Sequence, residues 1–226
     1  RGFDRFYGFM QGETDQFHPE LYADNHMIPQ PSRPEDGYHL SEDLVDQSIA
    51  MIRNQVSLVP ERPFYLYLPF GATHAPHQAP DDYLLKYKGR FDEGWDVWRE
   101  RIHAKQLELG IIPEGTALAP RNPGVRPWTE LSEREQAFAL KLQEAFAAFL
   151  DHTDAQLGRL LDALADLGLD DNTLVIATSD NGASQEGNET GVLDEFRHFN
   201  GLPEDMESAS NRLEDIGTRR SFTNYP

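Results

Sequence analysis

A short apolar run that ends in a polar tetrapeptide constrains the fold of this chain most strongly. Residues 173–178 are β-branched or apolar, which is typical of a strand covered on both faces of a parallel sheet. Ser179, Asp180, Asn181 and Gly182 follow directly. Open α/β sheets place their ligand sites at the carboxyl ends of the strands, so the pattern predicts a functional site here.

Two side chains of this tetrapeptide have the chemistry of metal ligands. Asp180 and Asn181 offer one charged and one neutral oxygen, a combination that suits a hard cation such as Ca²⁺. Gly182 lets the backbone turn away sharply, so both side chains can face the same point. Asp-Asn-Gly is also ordinary turn chemistry, and the tetrapeptide alone leaves a metal site and a plain turn both open.

A second apolar run leads into a loop that contains histidines. Residues 64–68 (Phe-Tyr-Leu-Tyr-Leu) predict another core strand, and His74 stands just past its end between prolines. A histidine placed rigidly in this way can donate or accept a proton. His74 and His77 could also be residues of a rigid loop without a catalytic role. The ends of two parallel strands point into one crevice, and this coincidence favours a function for His74.

Helical patterns surround the two predicted strands. Ser41 is the expected N-cap of a helix over residues 41–56, and a long amphipathic helix passes through residues 138–167 and ends at Gly168. Residues 81–130 combine helical stretches with many prolines and glycines, and we expect an insertion that lies over the surface near the site. The pattern as a whole predicts an α/β fold with a largely parallel central sheet flanked by helices.

Composition excludes several classes of partner. The 226 residues include 39 acidic and 20 basic side chains, a net charge of −19, so nucleic acid and anionic membrane surfaces are unsuitable partners. Cysteine is absent, which excludes a thiol nucleophile or a thiolate metal site in these residues. No apolar run approaches membrane-spanning length. Because the sequence opens at Arg1 with a dense cluster of aromatic residues, we expect it to be an interior segment of a longer protein.

Seven short segments occur in the order in which they stand in one known family. They are Arg-Gly-Phe-Asp-Arg-Phe-Tyr-Gly-Phe at the start, Gly-Tyr-His-Leu, His-Ala-Pro, Gly-Trp-Asp, Asp-Asn-Thr, Ser-Asp-Asn-Gly and Ser-Phe-Thr-Asn-Tyr-Pro at the end. In this order they resemble the sulfatase family, of the large bacterial arylsulfatase type, with its alkaline-phosphatase-like α/β fold. The resemblance implies that residues 1–226 are part of a sulfatase catalytic domain that acts on a small-molecule sulfate ester.

The resemblance assigns roles at three positions. Asp180 and Asn181 match the second pair of calcium ligands of the family. His74 matches the histidine that contacts the sulfate ester and assists departure of the alcohol, whereas His77 has no match and is expected to be a structural or rim residue. The family's nucleophile is a formylglycine made from the Cys or Ser of a C/S-x-P-x-R motif. Pro29 stands where that residue would be, so we expect the nucleophile upstream and the fragment alone to be inactive.

Two alternatives to a sulfatase remain open at this point. A phosphatase, phosphodiesterase or phosphonate monoester hydrolase of the same superfamily would commonly carry His in place of Asn181, which softens the site toward Zn²⁺ or Mn²⁺. The other alternative is a non-catalytic remnant that binds metal. His152 and the acidic residues between Glu13 and Asp24 could be read as further metal clusters, but we expect a solvated or packed helix residue and an exposed loop.

Overall fold

A computed structural model describes residues 2–182, 187, 190–202 and 204–224. Helices dominate these residues, and a small three-stranded sheet lies near the start of the chain. No helix in the described part of the chain is long and apolar enough to span a membrane. The elements in chain order are β1 (Tyr7–Gly8), β2 (Leu21–Ala23), β3 (His26–Ile28), α1 (Leu40–Leu58), α2 (Asp81–Tyr87), α3 (Gly94–Glu108), α4 (Glu133–Asp166), α5 (Glu195–Phe199) and α6 (Met206–Ser210).

The small sheet is antiparallel, with β2 between its two neighbours. Tyr7 pairs with Ala23 and Leu21 pairs with Ile28. Leu21 is buried in a cluster that includes Leu44 of α1, so the sheet packs onto the beginning of that helix.

Helix α1 begins differently from its sequence prediction. Ser41 was expected to be the N-cap, but His39 takes that position and its Nδ1 accepts a hydrogen bond from the backbone N–H of Ser41 at 3.2 Å. An imidazole nitrogen can serve as a cap because it supplies an acceptor to an otherwise unpaired donor of the first turn. Ser41 itself is buried in the first turn of the helix.

The long helix α4 confirms its prediction. Ser132 and Glu135 form a reciprocal capping box at its start. Its end is followed by Gly168, whose φ of 66° is the left-handed conformation that favours glycine after a helix. Helices α1 and α2 both pack against α4. The large buried apolar residues that α4 contributes are Phe138, Leu142, Phe149, Leu160 and Leu164.

The two predicted core strands do not form a ladder in the described residues. Residues 63–70 alternate between exposed and half-buried positions, and Phe64, Leu66 and Leu68 pack against the cluster formed by α1 and α4. This period of two is that of a strand with one face on helices. Its outer residues Tyr65 and Tyr67 are exposed, however, and no β-pairing is assigned to this segment.

The second predicted strand, residues 173–178, is more exposed to solvent than the first. Leu174 and Ile176 are 85% and 77% exposed, where burial on both faces was expected. The parallel central sheet is therefore not shown by the described residues, whose sheet is the small antiparallel one. The physical reason is that a strand needs a hydrogen-bonded neighbour, and the described chain supplies none to either segment.

The region expected to be an insertion contains α2 and α3. Leu84 of α2 is partly buried and packs against the buried cluster around α4, so one side of this helix rests on the core. Trp95 of α3 packs edge-on against Trp128 with ring centroids 5.0 Å apart. Asp96 of α3 accepts hydrogen bonds from Arg121 and from the backbone N–H of Trp128. These bonds hold the irregular segment that contains Arg121 and Trp128 against α3.

Candidate functional site

The loop that carries His74 is buried and anchored to the distant end of the chain. Residues 75–79 are all buried. The backbone N–H of His77 donates to the carbonyl of Thr223 at 3.0 Å, and that of Ala79 donates to the carbonyl of Gly217 at 2.9 Å. The rigidity expected from the prolines is therefore reinforced by backbone hydrogen bonds over a long sequence separation.

Gln78 is a buried junction within this loop. Its Oε1 accepts a hydrogen bond from the backbone N–H of Gln16 at 2.8 Å. Its Nε2 donates to Oδ2 of Asp15 and to the carbonyl of Ser221, both at 2.9 Å. One fully buried amide thus joins three separate parts of the chain, and its hydrogen bonds to Gln16 and Ser221 are shielded from water.

The start of helix α1 is joined to the same loop through His39. Its Nε2 lies 3.2 Å from the carbonyl oxygen of Gln78, and its ring centroid lies 4.3 Å from that of His152. Burial, together with the neighbouring imidazole of His152, lowers the pKa of His39 to about 3. His39 is therefore neutral at ordinary pH. His152 is completely buried and Nε2 of its ring lies 3.0 Å from Glu42, so of the two placements expected for it, solvated or packed, the structure shows the packed one.

His74 projects from this framework toward solvent. Its side chain is 50% exposed, whereas the five residues that follow it are buried. Its Nδ1 lies 3.1 Å from the carbonyl oxygen of Ala75 and 3.5 Å from a carboxylate oxygen of Glu13. A half-exposed imidazole on a rigid loop has the placement that proton transfer to a bound substrate requires.

His77 is a structural residue. It is 3% exposed, its ring packs edge-on against Phe146 with centroids 5.2 Å apart, and its carbonyl accepts from the hydroxyl of Thr223. Burial lowers the pKa of His77 to about 4, so it stays neutral. Two histidines three residues apart therefore have different environments, and only His74 is open to a ligand.

Asp180 and Asn181 lie on an exposed stretch after Ile176. The backbone N–H of Asn181 donates to Oδ1 of Asp180 at 3.0 Å, and the Asn181 side-chain amide donates to the carbonyl of Gly182 at 2.8 Å. These hydrogen bonds are local, and none of those found among the described residues joins His74 to either residue. The sequence-predicted site residues are thus not brought together by hydrogen bonds in the described part of the chain.

The donor chemistry of Asp180 and Asn181 fits half of a calcium site. A carboxylate and an amide carbonyl are hard oxygen ligands, and both side chains face solvent. Ca²⁺ takes six to eight ligands, so two residues do not complete a site. The described residues contain no group of three or more His, Cys, Asp or Glu side chains that could hold a metal ion.

Three acidic residues of the N-terminal region, Asp15, Glu20 and Asp24, accept hydrogen bonds from groups within that region. Oδ1 of Asp15 accepts from the backbone N–H groups of Phe17 and His18, while Glu20 accepts from Gln11. Asp24 accepts from the backbone N–H of Phe6 at 2.9 Å. These hydrogen bonds hold the backbone of the N-terminal region in place.

Sequence reasoning missed three residues that organise the site. Glu13 was treated as one of several loop acids, and Gln78 and His39 were not singled out. No local pattern identifies Glu13 or Gln78, because their partners lie about 60 residues away or more. His39 did carry a signal, since it directly precedes an acidic first helical turn and stands where a cap belongs.

Comparison with known proteins identifies the family of this chain. The family model for sulfatases matches residues 1–211. The chain therefore belongs to the sulfatase family.

Three relatives illustrate the breadth of the similarity. An uncharacterised sulfatase of Schizosaccharomyces pombe is 35% identical over 219 residues, 96% of this chain and 38% of that protein. The arylsulfatase of Klebsiella aerogenes is 29% identical over 238 aligned positions, which cover 100% of this chain and 48% of the enzyme. Human iduronate 2-sulfatase is 28% identical over 135 residues, 53% of this chain and 22% of that protein. The chain thus spans less than half the length of these relatives.

Proposed function

We propose that the protein containing this chain is a sulfuric ester hydrolase of the arylsulfatase kind. The observation that carries the proposal is the placement of His74, a half-exposed imidazole on a buried loop that hydrogen bonds hold at several points. Membership of the sulfatase family and similarity to an enzyme named arylsulfatase support a sulfate ester as the substrate class. That the protein is of the large bacterial arylsulfatase type stays a prediction, since its relatives occur in a yeast, a bacterium and human.

In this proposal His74 acts at the ester oxygen that leaves. As the S–O bond to the leaving alcohol breaks, the bonding electron pair stays on the alcohol oxygen and the imidazole donates a proton to it, while the sulfuryl group (SO₃) forms a new S–O bond to the nucleophile. The rigid loop holds the imidazole in place, so little conformational freedom is lost when substrate binds. The rest of the chain contributes by keeping residues 75–79, which directly follow His74, fixed and buried.

Asp180 and Asn181 would provide part of a calcium site. Their oxygen donors suit Ca²⁺, and the remaining ligands would come from outside residues 1–226. Bound there, the cation would offset negative charge on the sulfate oxygens. Asn181 supports calcium over zinc, because an amide oxygen is a harder ligand than the histidine that the phosphatase alternative would place there.

The nucleophile would also lie outside these residues. The chain has no cysteine, and Pro29 stands where the resembling segment would need Cys or Ser. In the structure Gln30 donates to the carbonyl of Phe17, and Arg33 pairs with Asp36. These contacts fit an ordinary loop, and we propose that a formylglycine is supplied elsewhere in the complete protein.

We further propose that the two unpaired segments are strands of a parallel sheet completed by the rest of the protein. The alternating burial along residues 63–70 supports this, since it already shows one face packed on helices. The exposed apolar residues Leu174 and Ile176 would then be covered. Burying such side chains contributes roughly 1.5–3 kcal/mol each, which favours the completed sheet.

A matched pair of substrates tests the proposed function. The full-length protein is assayed with 4-nitrophenyl sulfate and 4-nitrophenyl phosphate at equal concentration, with calcium and then with a chelator. We expect hydrolysis of the sulfate ester to exceed that of the phosphate ester, and chelation to abolish it. Preference for the phosphate ester would favour the phosphatase alternative, and no turnover of either ester would favour the non-catalytic one.

A further inference from the structure

The sequence contains two Asn-Gly pairs, Asn181-Gly182 and Asn200-Gly201, and the structure places them in different local geometries. The side-chain amide of an asparagine can be attacked by the backbone nitrogen of the next residue. Glycine in that position leaves the approach open because it has no Cβ. The rate of such an intramolecular attack depends on how closely the local structure holds the attacking nitrogen to Cγ of the asparagine.

Asn181-Gly182 has a geometry that favours this attack. Both residues are exposed. Nδ2 of Asn181 donates a hydrogen bond to the carbonyl oxygen of Gly182 at 2.8 Å, so the side chain is folded forward over the glycine whose nitrogen would attack it. Within the described residues, and apart from its chain neighbours, no atom would lie within 4 Å of a Cβ added at Gly182. The glycine peptide therefore has room to turn toward Cγ.

Asn200-Gly201 is held in a geometry that hinders the attack. Nδ2 of Asn200 donates to the carbonyl oxygen of Phe196 at 2.7 Å, so this side chain is folded back over α5 and away from the glycine. The backbone N–H of Gly201 donates to the carbonyl oxygen of His198 at 2.8 Å. The attacking nitrogen would have to give up that hydrogen bond first. The second pair thus supplies an internal control with the same two residue types.

We propose that Asn181 is a site of spontaneous modification, at which the asparagine is converted to isoaspartate and aspartate. The backbone nitrogen of Gly182 forms a bond to Cγ of Asn181 and loses its proton, while the side-chain nitrogen takes up a proton and leaves as ammonia. The succinimide ring that results then adds one water molecule. Opening of the ring at the main-chain carbonyl gives isoaspartate, and opening at the side-chain carbonyl gives aspartate.

The modification acts on the proposed calcium site, and this part of the inference rests on the proposed function. Isoaspartate lengthens the backbone by one carbon next to Asp180 and adds a negative charge, so the two proposed ligands lose their spacing. Coordination of Asn181 to calcium would in turn restrict the rotation that brings its Cγ to the nitrogen of Gly182. Calcium should therefore protect Asn181, and the calcium-free protein should convert there.

Peptide mapping of the full-length protein by mass spectrometry tests the inference without an enzyme assay. The protein is incubated at mildly alkaline pH in ¹⁸O-labelled water, and the converted fraction is followed at Asn181 and at Asn200. The oxygen label separates conversion during the incubation from conversion during digestion. With a chelator present, we expect Asn181 to convert about tenfold to a hundredfold faster than Asn200. Conversion of Asn181 at the rate of Asn200, or more slowly, would overturn the inference.

The variant Gly182→Ala tests the route of the reaction. The added Cβ stands beside the attacking nitrogen and should slow the conversion of Asn181 by about tenfold or more. Conversion of Asn200 in the same sample should equal that of the wild type. An unchanged rate at Asn181 would show that the nitrogen of Gly182 is not the attacking group, and this result would also overturn the inference.

Incubation with calcium in place of the chelator tests the link to the proposed site. Calcium should slow conversion at Asn181 and leave Asn200 unaffected. Equal rates at Asn181 under both conditions would overturn the calcium part of the inference and count against Asn181 as a ligand. If the protein hydrolyses no sulfate ester but Asn181 converts as expected, the proposed function fails and the modification site is supported.

Discussion

Nε2 of His39 lies 3.2 Å from the backbone carbonyl oxygen of Gln78, so the N-cap of helix α1 is joined directly to the loop that carries His74. The same loop is joined to the N-terminal segment through Asp15 and to the C-terminal segment through Ser221. The position of the catalytic candidate therefore depends on contacts that span nearly the whole chain. This dependence leads to the first of five predictions.

Gln78→Ala should destabilise the protein strongly. The substitution leaves the backbone N–H of Gln16 and the carbonyl of Ser221 without their buried partner, which costs about 2–4 kcal/mol in the free energy of unfolding. Urea denaturation of the full-length protein measures the change. Gln11→Ala is the control, since Gln11 is exposed and should change stability by less than about 0.5 kcal/mol. Equal effects of the two variants would contradict the junction role of Gln78.

Stability should fall in mild acid because of the buried histidines. The pKa of His39 is lowered by burial to about 3 in the folded protein, against an ordinary value of 6.5. Below pH 6.5, His39 therefore binds a proton in the unfolded chain but not in the folded protein. The free energy of unfolding falls as the pH drops from 6.5 toward 3. At pH 5 this amounts to roughly 2 kcal/mol for His39.

The variant His39→Gln isolates this contribution. The difference in unfolding free energy between pH 7 and pH 5 should be smaller in His39→Gln than in the wild type. His26 is exposed on β3, and His26→Gln should retain the wild-type pH dependence. An unchanged pH dependence in His39→Gln would show that His39 is not the source of the acid sensitivity.

A pair of glycine substitutions tests the packing of helices α2 and α4. Gly217 has a φ of 82°, and an added Cβ would lie 2.6 Å from Leu84 and 2.9 Å from Ala145. Gly115 has a similar φ of 79° but nothing within 4 Å. Both alanine variants carry the backbone strain, so the excess destabilisation of Gly217→Ala, about 1–3 kcal/mol, measures the steric clash. Thermal unfolding of the two variants gives the comparison, and equal melting temperatures would contradict the close packing at Gly217.

Asp180→Ala should remove calcium and activity together. Asp180 is exposed and accepts a hydrogen bond from the backbone N–H of its neighbour Asn181, so the substitution should leave the fold intact. We expect the bound calcium measured by mass spectrometry of the dialysed full-length protein to fall, and turnover to fall by about 100-fold or more. Asp162→Ala, an exposed change on α4, should alter neither. Full activity of Asp180→Ala with calcium still bound would refute the assignment.

The helices could be predicted from sequence because their signals are local. The steps of three and four along α4 and the glycine after its end are visible in a short window, and the structure confirms them. The N-cap of α1 was wrong by two residues, since an imidazole cap competes with a serine that looks more typical. The apolar run of residues 64–68 predicted a core strand, but it indicated neither the exposure of alternate residues nor the absence of a neighbour within the described chain.

The candidate site could be predicted only in part. His74 stood out because it follows an apolar run and lies between prolines, and Asp180 and Asn181 stood out because they end another run. Which of the two histidines in the loop is open could not be read from the sequence, since the burial of His77 depends on Phe146 and Thr223 far along the chain. Glu13 was hidden for the same reason.

The most direct test of the account is the leaving-group dependence of His74→Ala in the full-length protein. A series of aryl sulfates with leaving phenols of increasing basicity is hydrolysed by the wild type and by the variant. If His74 donates a proton to the departing oxygen, the loss in kcat/KM should rise along the series to about 10²–10⁴-fold for the most basic phenol. A loss of the same size for every ester would contradict the account and leave His74 as a residue that only binds sulfate.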